Sequence, residues 1–294
     1  IEDERVLPWL YTQDSQEEIF KDKRTWQKSN PSLGTIKTYA YLEDIMNKAK
    51  NDLATRVTML CKDFNIKQLE SGTWLTFDEL NNETKFNIED LRDSYAIGGV
   101  DLSSTTDLTA SVLLVKKDKK MYVIPHFFMP KDVLEKRMQE DSVPYDIWVK
   151  KGYITLSDGS QNDFTKVTEW FQRMVWDYGI RPLWVGYDPW NSKYWIDEMA
   201  DAGFTMEKVR QGVYTLSEPM KQLEADLKNH IVIYDNNPVL KWCLANTQAK
   251  VDVNGNIQPT KLNSKYKRID GAVALIIAYS VLSNYKKDYE TMQS

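Results

Sequence analysis

The stretch YAIGGVDLSSTTDLTASVLLV, Tyr95 to Val115, decides how the rest of the chain is read. It opens on an apolar run with two glycines (Ala96, Ile97, Gly98, Gly99, Val100) and ends that run on Asp101. A hydroxyl-rich turn, Ser103 to Thr106, closes on Asp107, and a second apolar run follows from Ala110 to Val115. The polar connection Lys116-Lys117-Asp118-Lys119-Lys120 leads into a third, Met121 to Phe128. Three β-rich runs joined by tight polar connections predict an antiparallel meander. A carboxylate at the C-terminal lip of a buried strand is costly unless it is paired or holds a metal. The other role for such a residue is to cap a turn.

Composition narrows the chemistry. A chain of 294 residues is one large domain or two ordinary ones, and 42% hydrophobic residues supply ample core material. No apolar run approaches the ~20 residues of a membrane span. The first residue is Ile1, with no signal peptide behind it, so the sequence reads as a fragment of a longer protein. The two cysteines, Cys61 and Cys243, lie far apart, and His126 and His230 are the only histidines. That composition rules out a Cys/His zinc site and disfavours a Ser-His-Asp triad, which leaves carboxylates to do any chemistry. A formal net charge of -5 is no signature of a nucleic-acid binder, so any DNA contact needs a local basic patch.

The N-terminal third is patterned for short helices. Glu17 to Trp26 is helix-like, and WQKSNPSLG, Trp26 to Gly34, is an irregular connection marked by Asn30-Pro31 and Gly34. Leu42, Ile45, Met46 and Ala49 recur at helical spacing, and Ala54, Val57 and Leu60 extend it. Trp74, Leu75, Phe77 and Leu80 predict an anchor and a short helix, and the polar stretch Asn81 to Asp93 reads as a domain boundary. The expected division is therefore 1–93, mostly helical, and 94–294.

Beyond the meander the pattern is α/β. Pro130 to Gln139 is helix-like, and Val143 to Leu156 crosses a Gly152 turn into a short strand. Phe164, Val167, Trp170, Phe171 and Met174 form a helical apolar face closed by Gly179. Leu183 to Tyr187 is a short buried strand ending on Asp188, and a helix from Ser192 to Ala202 follows. Phe204 to Val209 and Ile231 to Ile233 suit strands, with a helix around Met220 to Leu227 between them and another from Val239 to Asn246. Val251 to Ile257 carries Asn254-Gly255, a strong hairpin signal. Ile269 to Tyr285 is a long apolar helix with Asp270 in its first turn.

Three aspartates thus stand in comparable places: Asp101 and Asp188 at strand ends, Asp270 at a helix start. In open α/β sheets such ends converge on one site. Three carboxylates without histidine or thiol select a hard cation such as Mg²⁺ or Mn²⁺. Two such ions ~4 Å apart activate water and stabilise the leaving oxygen in phosphodiester cleavage. Taken singly, Asp270 also suits helix N-terminal electrostatics, and Asp188 a turn before Pro189.

With these residues in view, the order of elements and aspartates resembles the RNase H-like nuclease fold. More closely, the chain resembles the C-terminal part of the large terminase subunit of tailed bacteriophages. GVDLSSTTDLTA is similar to that family's first acidic motif, YDPW to its second and RIDGAVALIIAY to its third. WQKSNPSLG looks like the end of the family's ATPase part, and KDFNIKQLESGTWLTFDEL like its link to the nuclease. The resemblance implies an RNase H-like mixed sheet with an antiparallel meander, flanked by helices and preceded by a smaller, mostly helical segment. It implies a metal-dependent endonuclease that cuts double-stranded viral DNA during packaging, with Asp101, Asp188 and Asp270 as catalytic metal ligands and Asp107 as a supporting residue. It also implies the small terminase subunit and the portal as partners, in the host cytoplasm and not at a membrane. No phosphate-binding loop G-x-x-x-x-G-K-[ST] is present, so no ATPase activity is expected of this polypeptide.

Several other features bear on function. Lys261, Lys265, Lys267 and Arg268 cluster before Asp270 and are expected to steer a phosphate backbone, the alternative being a solvated loop. Trp184, Trp190, Tyr194 and Trp195 crowd Asp188 and are expected chiefly in the core. Ser103, Ser104 and Thr105 are expected to cap the turn, with phosphate donation the alternative. Two other functions compete. G-x-D-x-x-x-T after a strand also resembles the first phosphate loop of actin-like ATP-binding proteins, but the glycine they need after the Asp is replaced by Leu102-Ser103-Ser104. A non-catalytic assembly module with a vestigial acidic cluster is the third.

Overall fold

A computed structural model describes residues 10–50, 53–66, 74–104, 108–189, 193–261 and 267–293. The chain divides into two compact units, Ile1–Ser71 and Gly72–Ser294. The first is helical: α1 (Gln16–Lys21), a 3₁₀ turn over Lys23–Lys28, α2 (Tyr39–Ala49) and α3 (Leu53–Lys62). Its core is Trp26, fully buried among Ile19, Leu42, Leu60 and Phe64. The Trp26 indole donates to the Ile19 carbonyl at 2.8 Å, satisfying its one polar atom. The irregular WQKSNPSLG stretch is held by side chains as well as by backbone turns and a bridge between Leu33 and Lys37. Asn30 Nδ2 donates to the Asp63 carbonyl at 2.7 Å, and Lys37 Nζ bridges Asn30 Oδ1 and Asp63 Oδ1 at 2.8 and 2.6 Å.

The second unit begins with α4 (Phe77–Leu80), which carries a Thr76/Glu79 capping box. The meander follows as expected: β1 (Tyr95–Asp101), β2 (Thr109–Lys117) and β3 (Lys120–Pro130), each antiparallel to the next. Asp118 and Lys119, both at positive φ, make the two-residue turn between β2 and β3. Then come α5 (Leu134–Asp141), α6 (Tyr145–Lys150), β4 (Ile154–Ser157), α7 (Thr165–Tyr178) and β5 (Arg181–Tyr187). After these lie α8 (Lys193–Asp201), β6 (Met206–Lys208), α9 (Val213–Lys228), β7 (Val232–Ile233) and α10 (Pro238–Asn246). A separate hairpin, β8 (Gln248–Val251) and β9 (Ile257–Thr260), precedes α11 (Asp270–Asn284) and α12 (Lys286–Gln293).

The main sheet runs β4-β3-β2-β1-β5-β6, with β7 also pairing β3. β5 lies parallel to β1, and β6 parallel to β5, so the meander turns into a parallel half at β1. This is the mixed sheet expected from the sequence. α7 buries Val167, Trp170, Phe171 and Met174 against one face and ends at Gly179, whose φ of +66° suits a helix C-terminus. α11 covers the other face, packed on β1, β2 and β5 and backed by α9 and α10. It is buried on every side from Asp270 to Val281, which is why its sequence is apolar all round.

Residues 74–93, placed by the sequence with the first segment, pack within the second unit. The Trp74 indole donates to Glu224 Oε2 at 2.9 Å, and its backbone N–H to the Thr247 carbonyl at 3.0 Å. Leu75, Leu80 and Leu91 are buried, the Tyr234 hydroxyl donates to the Leu80 carbonyl, and Asn82 Nδ2 donates to the Val232 carbonyl at 2.8 Å. Most of its polar side chains face solvent, but Asn82, Lys85 and Arg92 bond carbonyls of the second unit and Leu91 is buried in its core. The β8–β9 hairpin forms where Asn254-Gly255 signals it, with Val251 paired to Ile257 and a loop from Asp252 to Asn256 closed by Asp252 Oδ1 accepting from the N–H groups of Asn254 and Asn256.

Candidate active site

The three aspartates reach one end of the sheet for reasons visible in the backbone. Side chains alternate along a strand, so Asp101 shares a face with Gly99, and Asp188, just beyond β5, continues the face of Gly186. Gly98 faces the other way, where a Cβ would meet Val185 and Phe171. Gly99 and Gly186 are register partners, and the last such pair is Val100 with Tyr187, so Asp101 and Asp188 come next on adjacent parallel strands. Both glycines lie under α11. A Cβ on Gly99 would sit 2.2 Å from the Ala274 carbonyl oxygen, and one on Gly186 2.7 Å from Ile277 Cγ2. Asp270 stands one helical turn before Ala274, which puts it toward the strand ends.

Electrostatics locate two of the three together. Cys243 of α10 is buried, and its thiol is pushed well above the usual range, first by burial and then by the negative charges of Asp270 and Asp101. Asp270 is itself only 8% exposed, and Asp101 and Asp188 are half-buried. Among the described residues, no three His, Cys, Asp or Glu side chains are closed into an ion-holding cluster. Asp101 and Asp188 thus stand at adjacent strand ends, and Asp270 at the start of the helix packed on those strands. The donor set is nonetheless all hard oxygen, on a buried helix start and two strand ends, and it fits a divalent cation of the Mg²⁺ or Mn²⁺ kind.

The basic cluster is corrected in part. Arg268 is no surface phosphate contact: its guanidinium is buried, with Nε and Nη2 donating to Asp141 Oδ2 and Oδ1, each at 3.0 Å. Lys261 and Lys267 are partly exposed. Lys265, Asp107, Thr105 and Trp190 lie outside the described residues. The turn after Asp101 is pinned from within: Ser103 N–H donates to Thr109 Oγ1 at 3.0 Å, and Asn162 Nδ2 donates to the Ser103 carbonyl at 2.7 Å. Trp195 is core and Trp184 stacks on Tyr285 at 4.4 Å, whereas Tyr194 is 89% exposed.

Two cations escaped the sequence reading. In β6, Lys208 pairs in register with Tyr187, and the Val209 N–H donates to the Tyr187 carbonyl at 2.9 Å. The exposed Lys208 and Arg210 therefore flank the strand end that leads into Asp188. No local pattern distinguishes K-V-R-Q-G from a solvated loop; only the β5–β6 pairing does.

A mixed sheet with an antiparallel meander and a parallel strand beside its first member, under a buried terminal-side helix, is the RNase H-like architecture. The family model for the terminase large subunit, endonuclease domain, matches residues 1–284, and the chain belongs to that family. The terminase large subunit of Enterobacteria phage HK97 is 26% identical over 287 residues, covering 94% of this chain and 54% of its own length. That of Lactococcus phage p2 is 24% identical over 283 residues, covering 94% and 51%. The chain thus spans about half the length of these curated relatives. The crystal structure of the HK97 large terminase shares the fold, with a TM-score of 0.62 at 23% identity over 92% of this chain and 56% of that one.

Proposed function

We propose that this chain is a divalent-metal-dependent endonuclease that cuts double-stranded DNA during viral genome packaging. The observation that carries the reading is the register of Asp101 and Asp188 on adjacent parallel strands, beneath the helix that Asp270 opens. Asp101, Asp188 and Asp270 would hold the cations, two in number by this reading. Bound Mg²⁺ or Mn²⁺ supplies Lewis acidity and charge neutralisation for attack of water on a phosphodiester. The chain's own part is to fix those carboxylates on a sheet end and a buried helix, and to bring DNA to them. Lys208, Arg210, Lys261, Lys265 and Lys267 are assigned to phosphate contacts, which position a duplex without reading its sequence.

In the whole protein this part would do the cutting in the host cytoplasm, alongside the small terminase subunit and the portal. Family membership supports that setting. Among the described residues, no helix is long and apolar enough to cross a membrane. The test is incubation of the chain with supercoiled plasmid under Mg²⁺, Mn²⁺ and chelator. Nicked and linear products that need the metal support the proposal; plasmid intact in both metals across protein and salt titrations overturns it.

A further inference from the structure

We infer that the buried Arg268–Asp141 ion pair is a positioning device for Asp270, an inference that rests on the nuclease reading above. Arg268 and Asp141 expose 3% and 0% of their side chains. The Asp141 carboxylate takes both Arg268 donors and also the Tyr145 hydroxyl, at 2.7 Å. The Arg268 carbonyl in turn accepts from Asn246 Nδ2 at 3.2 Å. Residue 268 is therefore clamped through its side chain to the end of α5 and through its backbone to the end of α10. Asp270 is two residues further on.

The start of α11 is also tied to α10, where the Gly271 backbone N–H donates to the Cys243 thiol. The N-cap of α11 is Ile269, which makes no side-chain capping bond, and the Ile269 carbonyl accepts from the Val273 N–H at 2.9 Å. With no side-chain cap, tertiary contacts orient the first turn, and those of Arg268 come immediately before it. A planar guanidinium held bidentately fixes direction as well as distance, which a lysine or an apolar side chain does not. Stability alone gives little reason for the pair, since well-packed apolar residues usually replace a buried ion pair without loss. What apolar replacements would lose is the orientation of the backbone that carries the carboxylate. Groups that orient metal ligands typically change metal affinity by about 10- to 100-fold when removed.

The test uses the full chain, Mn²⁺ alone as the probe, and two variants. The first is the apolar double replacement Arg268→Met with Asp141→Leu; the second is Arg268→Lys. The readouts are melting temperature in chelator, the Mn²⁺ concentration giving half the maximal thermal shift, and the concentration giving half-maximal plasmid nicking. The double variant is expected to melt close to the parent in chelator yet to need about tenfold more Mn²⁺ in both metal titrations. Arg268→Lys should lie between the two, because it keeps the charge and loses the fork. A folded double variant with the parent's Mn²⁺ requirement overturns the inference. If the double variant does not fold, Arg268→Lys decides: a parent-like requirement overturns the inference, and a raised one supports it. A parent with neither a Mn²⁺ shift nor cleavage refutes the nuclease reading itself, whereas an active parent with unshifted variants refutes only the positioning role.

Discussion

Gly99 and Gly186 are register partners on neighbouring parallel strands, and both leave room for the same buried helix. Their missing side chains let α11 lie against the sheet, which brings Asp270 to the end where Asp101 and Asp188 emerge.

The two glycines should not tolerate alanine equally. At Gly99 the added carbon would meet backbone, 2.2 Å from the Ala274 oxygen and 2.8 Å from the Ala278 nitrogen. At Gly186 it would meet methyl groups of Val281 and Ile277, side-chain atoms that yield by a smaller shift than helix backbone. Overpacking typically costs about 1–3 kcal/mol, and Gly99→Ala should exceed that range while Gly186→Ala stays within it. Urea unfolding of both variants measures this; equal costs would show that α11 does not bear on the sheet at these points.

Asn in place of Asp101, Asp188 or Asp270 should reduce plasmid cleavage by roughly a hundredfold or more, comparable to removing one group that stabilises transition-state charge. Mn²⁺ at about one hundred times its dissociation constant should stabilise the parent by roughly 2.7 kcal/mol. The variants should lose most of that increment. Thermal melts with chelator and with Mn²⁺ check it, and retention of the full shift by all three would remove these residues from the ligand set.

DNA affinity should fall as salt rises, because neutralising each phosphate releases counterions. Alanine at Lys208 and Arg210 together should flatten the dependence of log K on log salt by about 0.9 for each phosphate no longer neutralised. Fluorescence anisotropy across a salt series reads the slope. An unchanged slope would return these two residues to ordinary surface charge.

We expect the independently folding nuclease part to begin near Gly72, not Ser94. A chain starting at Ser94 forfeits the burial of Trp74, Leu75, Leu80 and Leu91, each contributing about 1.5–3 kcal/mol. Residues 72–294 should melt cooperatively, and residues 94–294 should be far less stable or insoluble. Matching melting curves would show that residues 74–93 contribute little.

Acid should weaken the fold through His126. Burial, and then the charge of Arg173, lower this imidazole from 6.5 to about 4, while its Nε2 lies 2.8 Å from Thr155 Oγ1. Between those values the unfolded chain binds the extra proton, so stability is full above about pH 6.5 and declines toward pH 4. The span corresponds to at most about 3 kcal/mol. His126→Gln should remove that part of the slope, seen by comparing urea midpoints of parent and variant across the window. Parallel slopes would contradict the assignment.

Much of this architecture was legible because its signals are local. The meander showed in three apolar runs and their polar turns, α7 in a 3.6-residue apolar face closed by Gly179, and α11 in an unbroken apolar stretch. The aspartates were legible as a pattern because each sits at the boundary of such an element. What escaped depends on partners distant in sequence. Residues 81–93 looked like a linker because most of their side chains are exposed, while the bonds of Asn81 and Asn82 that tie them down reach partners more than a hundred residues away. Arg268 looked like a surface cation because its counter-ion, Asp141, lies at the end of α5, far away in sequence. Lys208 and Arg210 became interpretable only once β6 was seen to pair with β5.

The placement of α11 also bears on when the site can exist. Asp101 and Asp188 are contributed by strands that can pair as soon as both have been synthesised, but Asp270 opens a helix encoded long after them. That helix is also the packing surface for β1, β2 and β5. A growing chain that has not yet reached it holds two of the three carboxylates on a sheet with one face uncovered. On the nuclease reading proposed above, cutting competence would thereby wait for completion of the core, and a half-made chain would carry little risk of damaging DNA.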